Sequence, residues 1–150
     1  TLKCLSGLLY PTDGHVSVLG YKPFERQNKF LKQIALVMGQ KNQLWWDLPA
    51  MESFLLNKEI YEVPTEKFKK TLGDLSDLLE VHDVLNVQVR KLSLGQRMKC
   101  ELIAALIHTP KILFLDEPTV GMDPLARANV WEVINQLNKK ETTTIVLTTQ

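Results

Sequence analysis

Hydrophobic residues in this 150-residue chain fall into short clusters whose spacing changes from one stretch to the next. Two runs are apolar throughout, Ile34-Ala35-Leu36-Val37-Met38 and Ile112-Leu113-Phe114-Leu115. Continuous apolar runs of this length, bounded by turn residues such as Pro110-Lys111, suit short strands buried on both faces. Thr143 to Thr148, centred on Ile145-Val146-Leu147, is rich in β-formers and predicts another strand. His15 to Gly20 alternates polar and apolar residues, which predicts an exposed edge strand.

Elsewhere the period is helical. Leu2, Leu5 and Leu9 predict the tail of a helix over 1–9, and Phe24 to Leu31 predicts a short polar one. Met51 to Glu62 predicts a helix ended by Val63-Pro64. Thr65 to Glu80 predicts the next, with Thr65 as its cap and Phe68, Leu72, Leu75 and Leu79 as its core stripe. Its charges, Lys67, Lys69, Lys70, Asp74 and Asp77, lie mostly on the opposite face. Gln96 to His108 carries Met98, Leu102 and Leu106 on one face and stops before Pro110. A last helix begins at Pro124, capped by Asp123, and runs through Val130, Ile134 and Leu137 to about Lys139. Strands alternating with helices imply an α/β fold with a mostly parallel sheet.

The chemistry concentrates between Leu92 and Pro118. Asp116 and Glu117 fall just past a buried strand, where open parallel sheets place their ligands. There an aspartate can hold a divalent cation and a neighbouring glutamate can polarise an attacking water. Upstream, Leu92-Ser93-Leu94-Gly95-Gln96-Arg97 opens a helix: Ser93 is a good cap, and Gly95 lets backbone approach a phosphate. The helix directs its positive end at whatever anion sits there. Taken by themselves, these residues also suit a capped surface helix followed by a core strand with a solvated acidic end.

Together, in this order, they resemble the ABC-type ATPases. Ile112 to Glu117 resembles the Walker B strand, and Leu-Ser-Leu-Gly-Gln resembles the family signature, with Leu94 in place of its first glycine. Val120-Gly121-Met122-Asp123-Pro124 resembles the D-loop. Gln40, directly after a strand, resembles the Q-loop glutamine, with Gln43 a competing candidate. The resemblance implies a P-loop NTPase-like fold, with residues 1–40 and 91–150 as the ATPase core and about 41–90 as an inserted α-helical subdomain.

It also assigns roles. Asp116 would organise Mg²⁺ with Gln40 assisting, and Glu117 would act as general base or water-orienting group. Ser93, Leu94, Gly95, Gln96 and Asp123 would address ATP held by a second ATPase subunit. Gln150, 33 residues beyond Glu117, occupies the place where the family usually carries its switch histidine. A glutamine exchanges hydrogen bonds there but cannot titrate near neutral pH. The implied function is the ATP-binding and hydrolysing subunit of an ABC membrane transporter, with transmembrane permease subunits as partners. Its location would be cytoplasmic, peripheral on the inner face of the cell membrane. Leu94 and the tryptophan-rich loop point toward ABC-2-type exporters.

One motif of the family is missing. No Gly-x-x-x-x-Gly-Lys-Ser/Thr occurs in the 150 residues. The run from Thr1 through Pro11-Thr12-Asp13-Gly14 resembles the segment after that loop, which places its lysine about three residues ahead of Thr1. The chain therefore reads as an N-terminally truncated domain, expected to bind ATP weakly and to aggregate when isolated.

Composition adds bounds. A 45% apolar content is ample for a core, and a net charge of +1 gives no polybasic footprint, so no nucleic acid partner is expected. No apolar run approaches the ~20 residues of a bilayer-spanning helix. Cys4 and Cys100 lack metal-ligand spacing and read as buried free thiols. His15, His82 and His108 read as surface or turn residues. Trp45 and Trp46 in one loop imply either a local core plug or a groove for a cytoplasmic helix of a membrane subunit. Two other functions fit the motifs: a non-transport soluble ABC ATPase, and a nucleotide-sensing subunit with weak hydrolysis.

Overall fold

In the computed structural model, which describes residues 1–39, 41–139 and 143–148, strand β2 (Ile112–Asp116) lies between β1 (Ile34–Met38) and β3 (Thr144–Thr148). Both pairings are parallel, so the carboxyl ends of the strands lie together, with Met38, Asp116 and Thr148 in register. Successive side chains of a strand face opposite sides, and β2 follows this rule. Leu113 and Leu115 join the larger apolar cluster, whereas Phe114 joins a smaller one with Leu2, Val18, Phe30 and Ile34. The apolar run in the sequence is thus a strand covered on both faces.

The larger cluster is helical. Helices α3 (Ala50–Ile60) and α4 (Thr65–Leu79) bring Phe54, Phe68, Leu75 and Leu79 against Leu102 and Ile103 of α5 (Leu94–Leu106). Val130, Val133 and Ile134 of α6 (Pro124–Lys139) complete it. Phe54 and Leu79 are fully buried, and each such side chain contributes about 1.5–3 kcal/mol by leaving water. The other face is covered by α1 (Leu2–Leu5) and α2 (Asn28–Leu31).

Several expectations fail for local reasons. His15 to Gly20 forms no strand: Val18 and Tyr21 make a single antiparallel bridge around Leu19 and Gly20. Those two residues have φ of +53° and +79°, and consecutive left-handed residues reverse the chain before a strand can extend. The opening helix is confined to Leu2–Leu5 because Gly7 turns at φ +79°, where a Cβ would lie 2.2 Å from the Pro23 carbonyl oxygen. Phe24 to Leu31 divides into a 3₁₀ turn, Pro23–Glu25, and α2, broken at Arg26 with φ +49°. Thr65 does not cap α4. The cap position is Pro64, and no side chain bonds the helix end there.

His108 lies in the turn after α5, as expected, but half-buried. Its ring stacks on Tyr61 at 3.8 Å, and its Nε2–H donates to the Ile34 carbonyl at 3.0 Å. Burial holds its pKa below the ordinary histidine value. Neither tryptophan plugs the core. Leu44 does so at 4% exposure, whereas Trp45 and Trp46 are each about half exposed. Cys100 is buried, which pushes its thiol up to about 12, and Cys4 is half-buried.

Candidate functional site

The parallel register decides where the acidic pair goes. Asp116 ends β2, and its Oδ1 accepts a 2.7 Å hydrogen bond from the Thr148 hydroxyl on β3. The Glu117 amide donates to the Thr148 carbonyl at 3.1 Å, extending the ladder by one residue. Glu117 then leaves the strand at φ +49°, a conformation that costs a non-glycine residue of order 1–3 kcal/mol. From β1, the Gly39 amide donates to the Asp116 carbonyl at 3.0 Å. A Cβ on Gly39 would meet the Glu117 carbonyl oxygen at 2.1 Å, so only glycine permits this approach. The backbone that carries both acids is thereby held from both neighbouring strands.

They open onto a crevice of about 210 Å³ lined by Lys3, Met38, Lys41, Asp116 and Glu117. No cluster of three metal-ligating side chains occurs among the described residues. An oriented Asp with one neighbouring carboxylate therefore fits Mg²⁺, which takes one or two carboxylates and completes its shell with phosphate oxygens and water. Lys3 and Lys41 supply positive charge for an anionic ligand beside them.

The second group of residues lies elsewhere. Ser93 and Gln96 form a capping box at the start of α5: Ser93 Oγ accepts the Gln96 amide at 3.2 Å, and Gln96 Oε1 accepts the Ser93 amide at 3.0 Å. That leaves the amides of Leu94 and Gly95 in the unsatisfied first turn. The side chain of Leu94 packs on the core near Gly121, so its backbone is the part that can face an anion. Asp123 Oδ1 accepts the Leu125 and Ala126 amides at 3.0 Å each, capping α6. A Cβ on Gly95 would lie 3.5 Å from the Ala126 Cβ, so the two helix starts are neighbours. None of Ser93, Leu94, Gly95, Gln96 or Asp123 lines the acidic crevice. Gln40 and Gln150 lie outside the described residues. Gln43 is engaged through its amide group, whose Nε2 donates to the Leu36 carbonyl at 2.6 Å.

Sequence reasoning passed over four residues. Lys41 carried a usable signal, a cation directly after a strand-end glutamine. Thr148 and Gly39 carried none, because their roles depend on strand register. Glu101 looked like one more helical charge, yet it is 2% exposed. Burial raises its carboxyl to about 7, against opposing contributions from the Gln43 amide and Arg97.

Residues 1–120 match the family described as ABC transporter. The chain is 33% identical to the probable multidrug ABC transporter ATP-binding protein YbhF of Escherichia coli (strain K12), over 91% of this chain and 23% of that protein. It is 32% identical to the methionine import ATP-binding protein MetN of Francisella tularensis subsp. holarctica (strain OSU18), over 99% of this chain and 43% of that protein. A solved ATP-binding subunit of an ABC transporter superposes with a TM-score of 0.80 at 25% identity, covering 99% of this chain and 61% of that one. The chain thus spans less than two thirds of each of these relatives.

Proposed function

This chain belongs to the ABC transporter family, and from that premise we propose that it carries most of the ATP-hydrolysing domain of a transporter. The carrying observation is the acidic pair at the carboxyl edge of a parallel sheet, with Asp116 oriented by Thr148 and Glu117 held at φ +49°. Bound Mg²⁺ would supply charge neutralisation between the phosphates. Asp116 would hold it, with Gln40 assisting. Glu117 accepts a proton from, or orients, the attacking water. Lys41 offsets phosphate charge at the crevice wall.

None of Ser93, Leu94, Gly95, Gln96 and Asp123 lines that crevice, which supports their acting on ATP held by a second ATPase subunit. The capped start of α5 directs backbone amides and the helix dipole toward that phosphate. Segment 41–90 serves as the helical part. Trp45, Trp46, Leu48, Leu55, Leu56 and Ile60 expose apolar surface on this segment. Beside them a cleft of about 150 Å³ runs between Leu44, Trp45, Leu56 and Tyr61. That surface suits a helix of a transmembrane permease subunit, which supports a location at the cytoplasmic face of the membrane. No helix among the described residues is long and apolar enough to cross a membrane.

The test is Mg²⁺-dependent ATP turnover by the complete protein with its membrane partner. Hydrolysis that persists unchanged in Glu117→Gln sinks the assignment. Gln150 favours a second reading, a weakly hydrolysing sensor. Turnover that rises sharply in Gln150→His supports it, and turnover already high in the wild type removes it.

A further inference from the structure

Trp46 touches the chain on both sides of Ser93. Its carbonyl accepts the Arg90 amide at 3.0 Å, three residues before the cap of α5. Its ring lies under the Arg97 guanidinium, which stands 5.5 Å from the ring centre and four residues after that cap. The next two carbonyls are taken by the same segment. That of Asp47 accepts Gln88 Nε2 at 3.1 Å, and that of Leu48 accepts the Val89 amide at 3.0 Å. Pro49 and Gln88 add an antiparallel bridge, and Arg90 Nη1 donates to Asp47 Oδ1 at 3.3 Å.

Little slack separates these contacts from the capping box of Ser93 and Gln96. Val89–Lys91 is a 3₁₀ turn, the Leu92 amide closes it on the Val89 carbonyl at 3.1 Å, and Val89 is fully buried. Ser93 follows at once, and its carbonyl accepts the Arg97 amide at 2.9 Å as α5 begins. The Arg97 cation therefore stands near the amino end of a helix, where the dipole opposes positive charge. The electron-rich face of an indole offsets that opposition, which an aliphatic side chain cannot do. Trp46 is still 47% exposed, so part of its ring stays open beyond Arg97.

We propose that Trp46 is a positioning residue for the start of α5: its carbonyl on Arg90 and its ring beneath Arg97 bracket Ser93 and hold the capping box in place. The consequence for turnover rests on the reading above, in which Ser93 to Gln96 address ATP on a second subunit. The bracket itself does not rest on it. A partner seated on the open part of the ring touches the one residue that grips the signature start from both ends.

Hydrogen exchange of the complete protein without its membrane partner, and ATP turnover with it, test this. Trp46→Leu keeps the backbone bonds and an apolar surface but removes the ring face, and Arg97→Met keeps the stem but removes the charge. Each should raise exchange of the amides of residues 93–97 about fivefold relative to the α4 and α6 cores. Each should lower kcat about fivefold, with KM for ATP within about twofold. The double variant should be no worse than either single one, because both break the same contact. Trp46→Phe and Arg97→Lys keep a ring and a cation and should return both readouts to within about twofold of wild type. Trp45→Leu, which removes the neighbouring and similarly exposed indole, should leave exchange over 93–97 unchanged. Single-variant effects that multiply in the double variant overturn the proposal. So does exchange raised evenly over the whole chain, and so does an equal rise over 93–97 in Trp45→Leu. Should the wild type hydrolyse no ATP, the functional reading falls, while the exchange cycle still decides the role of Trp46.

Discussion

Thr148 Oγ1 and Asp116 Oδ1 are joined by a 2.7 Å hydrogen bond between residues that stand in register on neighbouring parallel strands. The bond fixes which carboxylate oxygen of Asp116 remains for a cation. Thr148→Val keeps the shape of the side chain and removes the donor. A side-chain hydrogen bond to a charged group contributes about 1.5–3 kcal/mol, so Mg²⁺ affinity in the nucleotide-bound protein should weaken by about tenfold or more. Thr148→Ser should recover most of it. Titrating Mg²⁺ against bound fluorescent nucleotide checks this, and equal midpoints for Val and Thr would count against the assigned role of Asp116.

Glu117 is assigned the work on the attacking water. Glu117→Gln should lower turnover by about 10²–10⁴-fold, the range for loss of a general base, with nucleotide binding preserved. Single-turnover hydrolysis alongside equilibrium nucleotide binding separates the two. Loss of both together would make Glu117 a binding residue instead.

Gly39 provides an independent route to the same site. In Gly39→Ala the new methyl group would sit 2.1 Å from the Glu117 carbonyl oxygen, so the strand end must move. Overpacking of this kind costs about 1–3 kcal/mol, and turnover should fall with it although no assigned group has changed. Urea unfolding and turnover of the same variant check the pair of effects. A Gly39→Ala protein with wild-type values of both refutes the close approach.

Ser93 and Asp123 cap α5 and α6 through their side chains. Replacing either by alanine should cost about 1 kcal/mol of stability, whereas Asp123→Asn should lose little. Shifts in urea midpoint at constant slope measure this. If Ser93→Ala also reduces turnover further than its stability loss accounts for, the residue addresses nucleotide in addition to its own helix.

Glu101 sets a pH dependence. Burial raises its carboxyl from 4.5 to about 7, so the folded chain holds this proton more tightly than the unfolded one. Its contribution is complete below about pH 4.5 and is lost as the pH rises to about 7, a change on the order of 2–3 kcal/mol. Glu101→Gln cannot ionise, so its stability relative to wild type should grow between about pH 5 and about pH 7.5. Denaturant unfolding at those two values checks the sign. A gap between the proteins that does not change with pH rules out the raised carboxyl.

Much of the frame was readable along the chain because its signals are local. Ile34–Met38 and Ile112–Asp116 declared themselves as buried strands, since a strand covered on both faces has to be apolar at every position. Asp123-Pro124 announced the start of α6, and Ser93 that of α5, because a cap needs only residues within one turn. The same local rule misled at His15 to Gly20. Alternation alone cannot reveal that Leu19 and Gly20 both adopt left-handed φ and fold the run back on itself.

By itself, then, the sequence determined the buried strands, the main helices, the acidic pair and the family they belong to, each from neighbours within a few positions. Tertiary structure decided what holds that pair: Thr148 on Asp116, Gly39 beneath Glu117, and the burial of Glu101 against the Gln43 amide. Those partners are between 32 and 78 residues apart in the chain. Their meeting depends on strand register and helix packing, where a shift of one residue would turn every side chain to the opposite face.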